Sequence, residues 1–442
     1  MLIALFMLIG LQALRVLFAL AVFHIAPAQR FEELALLFVG VFSAPFWLTL
    51  LLSKLPPRTG ITVAIGGMAL ARLALQFSPS TSFSLILAAI TVMFWLTLFA
   101  LPPFWSMIVG ANGQVVSWLI VGLAIDAALN SLFMTWDYAW QRNISSVLCA
   151  FAVTGVTGTA LWQFHKSQPD SPKFSSRPLP LVLLGPYLML QIVVLQNPAF
   201  VAAITGATIP AACAIVLAGD LISLSPLRNR LLRAPIAVRF LAAVMIAGLF
   251  VLDSLAGMVT VTAMIAIQFV VNTLLFVALQ PKSEHTPVSV GFAGLLLLAL
   301  TVAYYLDYQY STPISVSAWI RASVGLLLAS VAFRNLFVFV PSNLQPVKIT
   351  SALFVVPLAL LVTQPSPAFG SVDNAFRLVV YNIHQGANTE GWIDLEAIAN
   401  VIELQNPDVV VLQEVIRGQL ITGGVDIAQW LGARLKMPYY FG

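Results

Sequence analysis

Two apolar runs near the C-terminus each end in a polar residue. "FRLVVYNIHQG" covers residues 376–386 and "PDVVVLQEV" residues 407–415, with Asn382 closing the first run and Glu414 the second. Apolar runs of this length, rich in β-branched and aromatic residues, predict strands. A strand buried on both faces cannot cheaply carry a carboxylate in its interior, so a Glu at its end belongs at the rim of a sheet. If the two strands are neighbours, Asn382 and Glu414 reach the same rim. A rim Glu414 can bind a hard cation such as Mg²⁺ (or Mn²⁺) through oxygen, with waters and a substrate phosphate completing the shell. Asn382 can donate to a phosphoryl oxygen or orient a metal-bound water. The plainer reading is that Asn382 caps a turn and Glu414 faces solvent.

The elements around these residues are legible. Residues 364–375 form a Pro/Gly/Ser linker, and composition changes sharply after it. "IDLEAIANVIELQNPD" predicts an amphipathic helix with Asp394 as N-cap, a buried stripe of Leu395, Ile398 and Ile402, and Pro407 blocking continuation. "GGVDIAQWLGARLKM" predicts a second helix with Ile427, Leu431 and Leu435 at one-turn spacing, and "PYYFG" would begin a third strand. The order β-α-β-α-β is the opening of an α/β layered domain.

The stretch "VVYNIHQG…DLEAIANVIELQNPDVVVLQEV…DIAQWLGARLKMPYYFG" resembles the start of the endonuclease/exonuclease/phosphatase (DNase I-like) superfamily, continuously from Phe376 to Gly442. The resemblance implies the beginning of a four-layer α/β sandwich and hydrolysis of a phosphoester by a metal-activated water. It implies Asn382 in the active site and Glu414 as metal ligand. The catalytic His of such enzymes lies in a Ser-Asp-His near the end of the domain, so His384 is expected only as a loop side chain at the site mouth, touching substrate. The match covers just the opening part of such a domain. Residues 376–442 are too few to close a two-sheet sandwich, so either the chain is a fragment of a longer protein, the favoured expectation, or the domain is a truncated relic; as it stands it is expected to be inactive.

Everything before the linker has a different character. The 442 residues are 60% hydrophobic and 9% charged, with a net charge of +4 and a mean hydropathy of +0.96. Soluble domains carry roughly a quarter charged residues, so most of this chain belongs in a bilayer. The charge is too small and scattered to favour nucleic acid as a partner. Cys149 and Cys213 sit in apolar runs and suggest no disulfide framework. The first apolar run is too long for a signal peptide and lacks its basic start and cleavage site.

Residues 1–363 are therefore expected to be a polytopic helical membrane domain of about thirteen spans. The expected spans are 2–25, 33–53, 59–77, 82–102, 113–133, 144–164, 178–196, 199–223, 236–254, 257–279, 288–306, 314–339 and 347–363. The even-numbered connections hold Lys54, Arg58, Lys166, Lys173, Arg177, Arg228, Arg230, Arg233, Lys282 and Lys348, and the odd ones little beyond Arg30 and Arg142. Lys and Arg are retained on the cytoplasmic side, which predicts a cytoplasmic N-terminus and an extracytoplasmic tail. Arg15, Arg72, Asp126, Asn130, Asp220, Asp253, Gln268, Asn272 and Arg321 fall inside spans. Such residues either line a site or pair between helices and snorkel. Asp126 and Asn130, one helical turn apart, share a face.

Two function classes follow. The first is a membrane-anchored, metal-dependent phosphoester hydrolase. Its architecture resembles that of the proteins that remodel GPI-anchor lipid, which makes a lipid-linked substrate a better expectation than nucleic acid. The second is a transporter or lipid-handling membrane protein with a degenerate or regulatory tail, expected if the intramembrane polar residues converge on one cavity. A membrane-tethered nuclease ranks behind both, because one helix suffices as an anchor.

Overall fold

The structure, a computed structural model, describes residues 1–25, 30–101, 115–167, 181–279, 287–310, 315–333, 344–363 and 376–442. Lys173, Arg177, Lys282 and the linker 364–375 lie outside them.

Helix α1, Leu2–Ile25, runs through the centre of the bundle. It is apolar all round, and a helix of that kind must be enclosed on every side. Every residue of Leu2–Leu20 is buried, including its two polar side chains, Gln12 and Arg15. Around it stand α2 (Phe31–Phe42), α3 (Ala44–Leu52), α4 (Pro57–Leu75), α5 (Thr81–Leu98), α6 (Val115–Leu132) and α7 (Ile144–Ser167). Gly122 lets α6 approach α1 closely: a Cβ there would lie 2.7 Å from Met7 Cβ. The second half contains α8 (Leu181–Leu195), α9 (Pro198–Thr205), α10 (Ile209–Leu224), α11 (Pro235–Ser254), α12 (Gly257–Ala278), α13 (Val288–Asp307), α14 (Val316–Ala332) and α15 (Leu344–Thr363). Outward faces are apolar, with Leu50, Leu70, Leu148, Ile236, Phe240 and Leu326 exposed, while Asp126, Asp220, Gln268 and Asn272 are buried. That inversion is the pattern of a bundle in lipid.

The expectation of about thirteen spans is corrected. Among the described residues nine helices are long and apolar enough to cross a membrane, or up to eleven if each bent pair counts as one span. The pair α2 and α3 bends by 48° and the pair α8 and α9 by 52°. Each break is followed by a proline, which removes a backbone donor, and at the second the Asn197 side chain caps α9 through Phe200 N. The expected span 199–223 thus merges the short α9 with the 16-residue α10. Helix α14 has 17 residues, so α10 and α14 each reach only about 24–26 Å against roughly 30 Å of hydrocarbon.

The tail contains β1 (Leu378–Asn382), α16 (Leu395–Leu404), β2 (Val409–Gln413) and α17 (Ile427–Leu435). The strands pair in parallel, with Leu378 opposite Val409 and Asn382 opposite Gln413. Asp394 caps α16 through Ala397 N, and Asp426 caps α17 through Gln429 N. Arg434 ties the two helices together through Glu396 and Glu403. The four-layer sandwich is not what forms: the sheet among the described residues has two strands. "PYYFG" does not extend it; Tyr439 and Phe441 instead lie over the Arg417 guanidinium, at 6.0 and 5.4 Å. The apolar residues of the tail, among them Trp392, Ile416, Leu420, Val425, Ile427 and Leu431, belong to the same buried cluster as the bundle.

Candidate functional site

A polar track crosses the bundle interior. It begins in the connection after α6, "FMTWDYAWQRN", whose residues divide between two surroundings. Asp137 and Tyr138 turn into the bundle, while Trp136 and Trp140 turn to the tail. Asp137 Oδ2 accepts from Arg15 Nη2 at 2.7 Å, and Arg15 also grips Asp126 of α6 through two hydrogen bonds of 2.7 Å. Charges this deep persist only when paired and hydrogen-bonded, and this cation holds two carboxylates. One turn earlier on α1, Gln12 Oε1 accepts from Tyr138 Oη at 2.8 Å and from Arg72 Nε at 3.2 Å. Burial pushes the Tyr138 phenol up to about 12, which keeps it protonated and donating.

The track continues on the far side of a small cavity of about 10 Å³ lined by Arg15, Asp126, Asn130, Gln196 and Asn197 from the bundle and by Leu420 and Gly424 from the tail. Two buried oxygens on residues of that lining, Asn130 Oδ1 and Gln196 Oε1, have no hydrogen-bond partner among the described residues. Beyond it, Gln196 Nε2 donates to Asp220 Oδ2 at 2.6 Å. Asp220 also accepts from Gln268 at 2.8 Å and from Asn272 at 3.1 Å. No Arg, Lys or His lies within salt-bridge distance of Asp220 among the described residues, and three amides hold it instead. Asn272 extends the network to Tyr187, Gln191 and Ser223. Arg228, in the short helix Leu227–Leu232, donates to Ser223 O at 3.3 Å. Its guanidinium rests over Phe276, and burial lowers it to about 10.

The tail closes one end of this track. Residues 417–426 form a loop held at both ends by the Arg417–Asp426 ion pair, 2.7 Å. Asn197 Nδ2 donates to Gly418 O at 2.6 Å, Leu420 N to Tyr305 Oη at 2.7 Å, and Asp426 N to Thr135 Oγ1 at 2.8 Å. Gln429 bridges Ile209 N and Ala207 O, both at the start of α10. At the loop tip Gly423 and Gly424 adopt φ of +72° and +77°. A Cβ on Gly423 would lie 2.8 Å from Trp140 Nε1, and one on Gly424 3.3 Å from Arg15 Cδ. Only glycine fits there comfortably.

Asn382 and Glu414 do come together at the C-terminal ends of the paired strands, where Asn382 Nδ2 donates to Glu414 Oε1 at 2.8 Å. Glu414 sits at φ +55° and His384 at +48°. The His384 ring packs edge-on against Phe23 of α1, 5.7 Å between centroids, and the His384 backbone N–H donates to Asn382 Oδ1 at 3.0 Å. One carboxylate and one amide are thus bonded to each other at this rim, and no group of three or more His, Cys, Asp or Glu that could hold a metal gathers among the described residues. Of the intramembrane residues noted in the sequence, Arg15, Asp126, Asn130, Asp220, Gln268 and Asn272 lie along the track. Arg321 pairs with Asp253 at 2.5 Å near a helix end. Gln12, Asp137, Tyr138, Gln196 and the glycine tip were not singled out. Gln12, three residues before Arg15 on α1, carried the one available signal.

No family model matches the chain, and no curated protein does. Among solved structures, a crystal structure of the E. coli fucose:proton symporter FucP is similar at 13% identity and a TM-score of 0.49, covering 76% of this chain and 97% of that one. A D-xylose–proton symporter is similar at 11% identity and a TM-score of 0.48, covering 77% and 97%. Below a TM-score of 0.5 these likenesses place the chain in no family. The DNase I-like membership expected from the tail is corrected, and with it the metal-dependent phosphodiesterase. No model of that superfamily matches, and among the described residues the tail is a two-stranded unit sharing the bundle's core.

Proposed function

We propose that the chain is a membrane transporter for a small polar solute, with a tail that closes one mouth of its pathway. The observation that carries this reading is the track from Asp137 through Arg15, Asp126, Gln196, Asp220 and Asn272 to Arg228. Interhelical hydrogen bonds stabilise a membrane bundle only modestly, whereas intramembrane ionisable residues are costly and mark pathways. Breaks such as Gln196–Asn197–Pro198 are tolerated in lipid where the freed backbone meets protein or a cavity, as it does here.

Within that reading the two carboxylates differ in role. Asp126 is locked by Arg15, whereas Asp220 is held only by neutral amides and is the carboxylate free to exchange a proton or small cation as solute passes. The distribution of basic residues supports an orientation for this reading. Lys54, Arg58, Lys166, Arg228, Arg230 and Arg233 lie in or beside the even-numbered connections, which favours a cytoplasmic N-terminus and an extracytoplasmic tail face.

The test is the purified chain in liposomes, with sugars, polyols, amino acids and organic cations added under an imposed pH gradient. A solute-dependent current, lost in Asp220→Asn, is expected. A folded, oriented protein that passes none of these classes overturns the reading.

A further inference from the structure

Between the bundle and the tail lies a second, larger cavity of about 600 Å³, outside the polar track. Its bundle wall is the connection after α6 and the turn before α5; its tail wall is residues 388–396 and Trp430. Four indoles line it. Trp140 meets Trp392 edge-to-face at 4.9 Å, and Trp136 meets Trp430 at 5.1 Å. Three carboxylates, Glu390, Asp394 and Glu396, share the lining with one cation, Arg142. Arg142 pairs with none of them and lies over the Trp392 ring at 5.2 Å. Glu396 is held by Arg434 and Asp394 caps α16, while the exposed Glu390 carboxylate has no ion-pair partner among the described residues.

The geometry points to a binding site for an organic ammonium group in this cleft, with Glu390 as counter-charge and the tryptophan rings as its walls. The volume is that of small-molecule sites. Aromatic faces attract cations, and quaternary or primary ammonium groups are the ligands that aromatic walls with a nearby carboxylate select. An anion would meet three carboxylates against one guanidinium. The cleft lies beside the start of α5, the end of α6 and the start of α7, so the ammonium group comes either from a zwitterionic lipid headgroup or from a free solute. Trp136 and Trp140 flank Asp137 and Tyr138 along the chain, so an occupant would press on the segment that holds Arg15.

The experiment is tryptophan fluorescence of the full chain in phosphatidylglycerol nanodiscs, titrated with choline, glucose or inorganic phosphate. Saturable quenching by choline alone is expected, weakened about tenfold by Glu390→Gln with unfolding temperature unchanged. Repeating it in phosphatidylethanolamine nanodiscs separates the sources. A lipid occupant blocks the choline response, and a solute site leaves it intact. No choline response in phosphatidylglycerol, an equal response to glucose, or an unaltered Glu390→Gln variant overturns the proposal.

Discussion

Gly424 of the tail packs against Arg15 of the first span: a Cβ on Gly424 would lie 3.3 Å from the Arg15 Cδ. The arginine that organises the membrane interior is thus covered by the tip of a loop from beyond the last span. The loop is held there by Asn197, Tyr305 and Thr135, from three separate parts of the bundle.

Arg15→Met would leave Asp126 and Asp137 buried without their cation. Breaking one side of a buried pair costs about 3–5 kcal/mol. Thermal unfolding in detergent should show that loss. Adding Asp126→Asn and Asp137→Asn to the same chain should recover most of it.

Gly424→Val puts a β-branched residue at φ +77° against Arg15. Strain of this kind costs about 1–3 kcal/mol, enough to raise the undocked loop population roughly tenfold. Trypsin cleavage after Arg417, ion-paired to Asp426 in the docked loop, should accelerate by a similar factor while the spans stay intact.

Trp392 is 9% exposed, packs on Trp140 and donates its indole N–H to Trp140 O at 3.1 Å. Trp392→Ala should cost about 3–5 kcal/mol by the usual cavity cost. Hydrogen exchange should show the loss in residues 388–396 and in the connection after α6 together, because the two segments share one contact.

Asp220→Asn keeps an oxygen for some of the three amide donors but turns an NH₂ group toward the others. A modest destabilisation of about 1–3 kcal/mol follows. Solute-driven proton movement should disappear, and any remaining solute flux should no longer depend on the pH gradient.

Much of this was legible in the sequence, though unevenly. The spans showed in their apolar length, and α16 and α17 form where Asp394, Pro407 and the Ile427–Leu431 spacing put them. The intramembrane polar residues were visible one by one, and Asp126 with Asn130 as a pair. Their partners were not, because Arg15–Asp126 and Gln196–Asp220 depend on how helices pack, which local pattern does not encode. The breaks at Ser43 and Asn197 were read as ordinary continuity or as a boundary, since Pro is compatible with either. The tail misled for a different reason. A β-α-β run ending in Asn and Glu is compatible with many architectures. Its association with the bundle rests on Trp392, Gly423, Gly424 and Gln429, whose types and spacing form no motif that a sequence reading could recognise.

The most direct test of the central claim uses a single cysteine at Gln196, between the cavity and Asp220, with Cys149 and Cys213 replaced by serine. Labelling with a membrane-impermeant maleimide from the tail face is compared in the otherwise native chain and in the Gly424→Val chain. A closed track predicts protection in the first and reaction in the second. Protection in both, with the loop shown by trypsin to be undocked, would mean that no pathway opens there and that the polar groups serve only to hold the helices together.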